Sequence, residues 1–141
     1  MYARRIIGID YGRRRIGIAY SDPLRMTAQP LATIVLKSPA EAAERVRQAL
    51  LEFDVELVII GLPVSLSGGS HGQMAEEIKI FARRIEEFGY RVRLEDERFT
   101  SSQAKDALRA GGKSERQMRG KLDVIAAQLI LQDYLNAHYS K

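Results

Sequence analysis

Four places in the sequence gather residue types that can do chemistry: Asp10-Tyr11-Gly12, Gly61-Leu62-Pro63, Glu95-Asp96-Glu97-Arg98 and Asp123. The first three each follow a short apolar run that reads as a β-strand. In open α/β sheets, ligands collect outside the carboxyl ends of parallel strands. Asp10, an acid from the 95–97 run and Asp123 would then meet at one edge. Converging carboxylates repel one another unless cations intervene, and hard divalent ions with oxygen ligands, Mg²⁺ or Mn²⁺, are the natural counter-charge. Two such ions about 3.5–4 Å apart can activate a water and stabilise the leaving oxygen in phosphodiester hydrolysis. That chemistry needs no side-chain nucleophile.

Each acid also has a plainer reading. Asp10 could simply end its strand and hydrogen-bond the turn at Gly12. As a metal ligand it would instead use the space that Gly8, two residues back on the same face, leaves beside it. Strand alternation puts Glu95 and Glu97 on one face and Asp96 on the other, which leaves open whether Asp96 or Glu97 enters the site; Glu95 reads as a solvated strand end. Asp123 stands near the expected start of a helix, where the dipole favours acids. Against that, Ala126 and Ala127 share its face and would let the helix approach the sheet closely enough to bring Asp123 near Asp10.

Strands are expected at Arg5–Tyr11, Arg15–Ser21 and Ala32–Lys37, the first two joined as an antiparallel hairpin through Gly12-Arg13-Arg14. Ser38-Pro39-Ala40-Glu41 has the form of a capping box opening a helix. A buried strand at Glu56–Gly61, a helix at Gln73–Phe88 and a strand at Tyr90–Leu94 follow. Thr100-Ser101-Ser102-Gln103 is a second capping box, Gly111–Met118 reads as a basic loop, and Lys121–Ala137 as a largely buried helix. The fold class is α/β, with a mixed five-stranded sheet: an antiparallel three-strand meander plus two parallel strands, flanked by helices. The Arg5, Glu56 and Tyr90 strands are expected to run parallel in its centre, and residues 1–141 to form one domain.

The formal charge is +4, and Lys plus Arg number 22. Arg13, Arg14, Arg15, Arg98, Lys113, Arg116, Arg119 and Lys121 flank the acidic edge and could hold phosphates on either side of a scissile bond. Nucleic acid is the partner this pattern favours. The absence of cysteine excludes thiolate nucleophiles and cysteine-ligated metals. The apolar stretches Leu57–Leu62 and Val124–Leu131 fall far short of the roughly 20 residues of a membrane span, so no membrane partner and a cytoplasmic location are expected. The Gly68–Gly72 loop could cradle a phosphate but lacks a P-loop lysine. His71 could assist proton transfer, though a lone loop histidine is usually just solvated; His138 falls at a terminus. Monomer and homodimer are both open.

Gly8-Ile9-Asp10-Tyr11-Gly12 with Arg15-Ile16-Gly17-Ile18-Ala19 and Ser21-Asp22, then Ile60-Gly61-Leu62-Pro63 with Gly68 through Ala75, then Asp96-Glu97-Arg98-Phe99-Thr100, then Lys121–Ala127 resemble, in order and spacing, the motifs of the YqgF/RuvX family. The resemblance implies an RNase H-like fold related to Holliday-junction resolvases. It also implies a nuclease maturing the 5′ end of pre-16S rRNA in bacteria, with branched DNA as the other proposed substrate. By motif position its catalytic, metal-binding acids would be Asp10, Glu97 and Asp123, with Glu97 favoured over Asp96. Ser67 stands where the family often has an aspartate and is excluded from catalysis; Arg14 for lysine and Phe99 for leucine keep the chemical type. Two rival functions are a non-catalytic nucleic-acid-binding or ribosome-assembly factor on the same scaffold and, more remotely, an ATP-using actin-like phosphotransferase, which would need a second domain to enclose its nucleotide.

Overall fold

A computed structural model describes residues 4–63, 70–97 and 115–139. Five strands, β1 (Arg5–Asp10), β2 (Arg15–Ser21), β3 (Ala28–Val35), β4 (Val55–Pro63) and β5 (Val92–Glu97), form one sheet in the order β3-β2-β1-β4-β5. β1–β2 and β2–β3 are antiparallel, whereas β1–β4 and β4–β5 are parallel. The expected mixed sheet is therefore present, with one correction: β5 is an edge strand, and only β1 and β4 are central among the parallel three.

β1 is apolar on both faces because both are covered. Helices α1 (Ala42–Leu50) and α2 (Ser70–Glu87) lie on one side, over a core that includes Ile7, Ile9, Ile18, Val58 and Ile60. Helix α3 (Glu115–His138) lies on the other, packing Ala127, Ile130, Leu131 and Leu135 on Ile6, Ala19 and Ile59. Fully burying one such leucine or isoleucine is worth roughly 1.5–3 kcal/mol, so apolar contact supplies most of what holds α3 down.

Several expected boundaries move, β5 among them, which runs Val92–Glu97 rather than Tyr90–Leu94; three of the shifts have a clear physical reason. β3 begins at Ala28, not Ala32, because Pro30 lies on an edge strand, opposite Ala19 at a register shift, where its missing N–H does no harm. Two polar side chains of α3 fix that start: Gln132 Oε1 accepts the Ala28 N–H at 2.9 Å, and Gln128 Nε2 donates to the Ala28 carbonyl at 3.2 Å. The Ser38 box forms only in part. Pro39–Glu41 is a 3₁₀ turn, Ser38 makes no side-chain cap, and Glu41 Oε1 accepts the Lys37 N–H at 2.6 Å. α3 starts at Glu115, so residues 115–118 of the expected loop are helical. The Thr100 capping box lies outside the described residues.

The β2–β3 connection is organised by Asp22, whose carboxylate accepts the N–H groups of Leu24, Met26 and Thr27. Burial pushes the Asp22 carboxyl up, but these donors outweigh it and hold it below its ordinary value. The turn carries Arg25 at φ 56°, with only 3% of its surface exposed. Its guanidinium donates to Glu56 Oε2 at 3.0 Å, to the Tyr139 hydroxyl at 2.9 Å and to the Arg4 carbonyl at 3.3 Å. Arg4 in turn pairs with Asp54 at 3.2 Å. Two of the amino-terminal arginines are thus structural.

Candidate active site at the strand ends

β1 ends at Asp10, which lies directly opposite Gly17 of β2. Paired residues in an antiparallel ladder share a face, so Asp10 is on the side covered by α3, as are Gly8 and Gly17. A Cβ at Gly17 would fall 1.9 Å from the Asp123 carbonyl oxygen, and one at Gly8 would fall 2.6 Å from Leu131 Cβ and 2.9 Å from the Ala127 carbonyl oxygen. Helix α3 is therefore seated on bare backbone at both positions, which sets Asp123 beside the residue paired with Asp10. The space at Gly8, expected to flank the Asp10 carboxylate, is filled by the helix instead. Gly17 is the site-building residue that sequence reasoning missed; its signal was a glycine interrupting an apolar strand.

Asp123 is in the third turn of α3, not at its start, so the helix dipole does not account for it. Its side chain is 18% exposed, and Arg15, the first residue of β2 and on the same face as Gly17, donates from Nε to Asp123 Oδ2 at 2.8 Å. Burial pushes the Asp123 carboxyl above its ordinary value, and Arg15 only partly offsets that. The site thus favours any further cation that can reach this oxygen set.

Glu97 is the last residue of β5, paired with Pro63. Glu95, two residues earlier, faces α3, lining a pocket of about 120 Å³ with Ile130, Asp133 and Tyr134. Alternation assigns position 97 to that same face and position 96 to the other, although Asp96 also borders the pocket. Ile9, Ile60 and Leu94 are successive cross-strand partners, so Glu97 stands two residues beyond the level of Asp10 and two strands, about 10 Å, across. The positions of the three expected acids lie along one rim, and the backbone of Asp123 sits over Gly17, the residue paired with Asp10. Among the described residues no three Asp, Glu or His side chains gather as a metal-binding group. The donors at Asp10 and Asp123 are nonetheless all carboxylate oxygens, the chemistry that suits Mg²⁺ or Mn²⁺. Glu95 is not a free solvated acid: its Oε1 lies 2.6 Å from Arg93 Nε, an ion pair without hydrogen-bond geometry.

The basic residues divide. Arg13 pairs with Glu77 of α2 at 3.1 Å and Arg15 with Asp123, while Arg14 and Lys121 are exposed. Arg116 and Arg119 fall in the first two turns of α3. Arg98, Lys113 and residues 68 and 69 of the glycine-rich loop lie outside the described residues; Ser70, His71 and Gly72 open α2. His138 ends α3 and stacks on Tyr134 at 4.1 Å between ring centroids.

The sequence profile of the RuvX family, described as Holliday junction resolvase, matches residues 4–137. The chain belongs to the RuvX family. Curated relatives carry the name "Putative pre-16S rRNA nuclease". The one from Chlorobaculum tepidum is 42% identical, with 96% of this chain and 95% of the relative covered. That from Syntrophus aciditrophicus is 41% identical, covering 94% and 89%. That from Lactococcus lactis is 40% identical, covering 100% and 99%. Among solved structures, Thermus thermophilus RuvC in complex with Holliday junction substrate aligns with TM-score 0.62 at 20% identity, covering 94% of both chains. Fowlpox virus resolvase with Holliday junction DNA aligns with TM-score 0.55 at 12% identity, covering 96% of this chain and 99% of that one. These likenesses establish the RuvX chain's fold as the RNase H-like fold of such resolvases.

Proposed function

We propose that this RuvX-family chain is a divalent-metal-dependent nuclease that hydrolyses phosphodiester bonds, with the 5′ end of pre-16S rRNA as its first substrate and branched DNA as its second. The observation that supports the reading is the seating of α3 on Gly17, the residue paired with Asp10, which brings the backbone of Asp123 to the carboxyl rim of the central strand. The relatives' names supply the substrate class.

Asp10, Glu97 and Asp123 would hold Mg²⁺ or Mn²⁺, Glu97 from its place on the shared face of β5. Bound there, two ions would supply an activated water and charge stabilisation of the leaving oxygen. The chain's own contribution is to fix the carboxylates on rigid elements and to bring phosphates to them. Arg14 and Lys121, exposed near the rim, would bind phosphates, with Arg98, Lys113, Arg116 and Arg119 extending the contact and Arg13 free to join once it leaves Glu77.

Replacing Asp10 by Asn keeps the shape and removes the charge. Loss of several kcal/mol of transition-state stabilisation corresponds to a fall in cleavage of about 100-fold or more, with nucleic-acid binding retained. Incubating parent and Asp10→Asn protein with pre-16S rRNA and with a four-way junction, each in Mg²⁺, Mn²⁺ or chelator, checks this. Equal cleavage by the variant rejects the metal-acid mechanism. Salt-steep binding with no metal-dependent product would identify a non-catalytic binding factor instead.

A further inference from the structure

Arg15 and Asp123 are 108 residues apart in sequence, yet they form a close polar contact at the rim, Nε to Oδ2 at 2.8 Å. The carboxylate is mostly buried and the guanidinium about a third exposed. A buried carboxylate without a counter-charge is costly, so the pair has a clear role when no metal is bound. The pair also has a conflict built into it. A divalent ion bonded to a carboxylate oxygen at about 2.0–2.1 Å would crowd a guanidinium already on that oxygen, placing three positive charges around one negative one. Both cations cannot keep the oxygen at full strength. The Nε contact leaves the two Nη groups of Arg15 as further donors, and a guanidinium fork suits a phosphate. The contrast with Arg13 is instructive: its partner, Glu77, belongs to α2 on the far face of the sheet, so its release is not tied to the acids.

We propose that Arg15 is the resident counter-cation of Asp123, that a divalent ion displaces it, and that the displaced guanidinium then takes a phosphate of the nucleic acid. Arg15 is thus a positioning residue that couples metal to substrate: each raises the other's affinity through this one side chain, as reciprocity requires. The inference rests on the nuclease reading above, and it deepens that reading by naming how the site is assembled.

The test begins with Mn²⁺ alone, without nucleic acid. Arg15→Gln is expected to bind Mn²⁺ three- to tenfold more tightly than the parent by calorimetry or electron paramagnetic resonance. Arg15→Lys, which keeps the charge, should stay within twofold of the parent. Arg4→Gln, which removes an equal charge at the opposite end of the sheet, should also shift affinity less than twofold. In the unmutated protein, the Arg15 Nε–H resonance (assigned by its loss in Arg15→Lys) should be protected from exchange in chelator and lose that protection on adding Mg²⁺. With a short RNA followed by stopped-flow anisotropy, Mn²⁺ should raise the parent's affinity at least threefold and leave that of Arg15→Gln unchanged.

Equal or weaker Mn²⁺ binding by Arg15→Gln, or an Nε–H that stays protected in saturating Mg²⁺, overturns the coupling and leaves the nuclease reading intact. If the parent itself binds no Mn²⁺ at millimolar concentration, the nuclease reading fails and the coupling with it.

Discussion

The two ends of α3 are held to the sheet in opposite ways. At the carboxyl end, the Arg25 guanidinium satisfies Glu56, Tyr139 and the Arg4 carbonyl at once, and two glutamines of the helix clasp the start of β3. At the end bearing Asp123, the helix rests on the backbone of Gly17, and one ion pair spans the gap to β2; its second bare contact, at Gly8, meets Ala127 and Leu131 further along the helix. One end is a polar network around a buried cation. The other is a close steric fit with an acid whose charge is only partly answered. The carboxyl end is thus tied by several polar contacts, whereas at the end proposed for chemistry the push of burial on the Asp123 carboxyl is only partly offset by Arg15.

The sharpest way to break this contrast is Gly17→Ala. The added methyl would overlap the Asp123 carbonyl oxygen at 1.9 Å, and backbone cannot swing aside. A loss of about 3 kcal/mol or more in urea unfolding is expected, together with loss of cleavage as the helix lifts. A change within 0.5 kcal/mol would mean that the helix is not seated there.

Arg25→Ala addresses the other end. Removing a buried, multiply bonded guanidinium should destabilise by about 2–4 kcal/mol while leaving Mn²⁺ affinity within twofold; a large change in metal binding would show that the two ends are not separable. Glu56→Gln is the mildest of the three. Arg25 holds the Glu56 carboxyl below its ordinary value near 4.5, against a smaller upward push from burial. A carboxylate whose folded pKa is depressed stabilises the fold above the unfolded pKa and loses that contribution as pH falls through the folded one. The parent should therefore lose stability below about pH 4.5 more steeply than Glu56→Gln, with a difference of about 0.5–1.5 kcal/mol at pH 7. Parallel pH profiles would remove Glu56 from the network.

The hairpin, the buried strand β4 and the face of α2 were legible because local pattern and burial agree there. Pro30 misled because an edge strand tolerates what a central one does not. The first turns of α3 were hidden because residues 115–120 carry no apolar stripe, which made Asp123 look terminal when it is interior. The close approach of α3 to the sheet near Asp123 was readable from Ala126 and Ala127, but its seat on Gly17 was not. The fit of Gly17 to a carbonyl more than a hundred residues away is a tertiary fact with no local trace. Arg25 was harder still: nothing in the sequence marks it, among so many arginines, as the one that is buried with a left-handed backbone.

Because α3 lies on main-chain atoms at two points, the gap between Asp10 and Asp123 is gauged by peptide geometry rather than by the girth of any aliphatic group. Neighbouring positions such as Ile59 or Leu135 could be exchanged for other branched hydrocarbons without altering that gap, whereas a single methyl on either bare residue would shim it apart. The spacing of the candidate site is guarded by two hydrogen atoms.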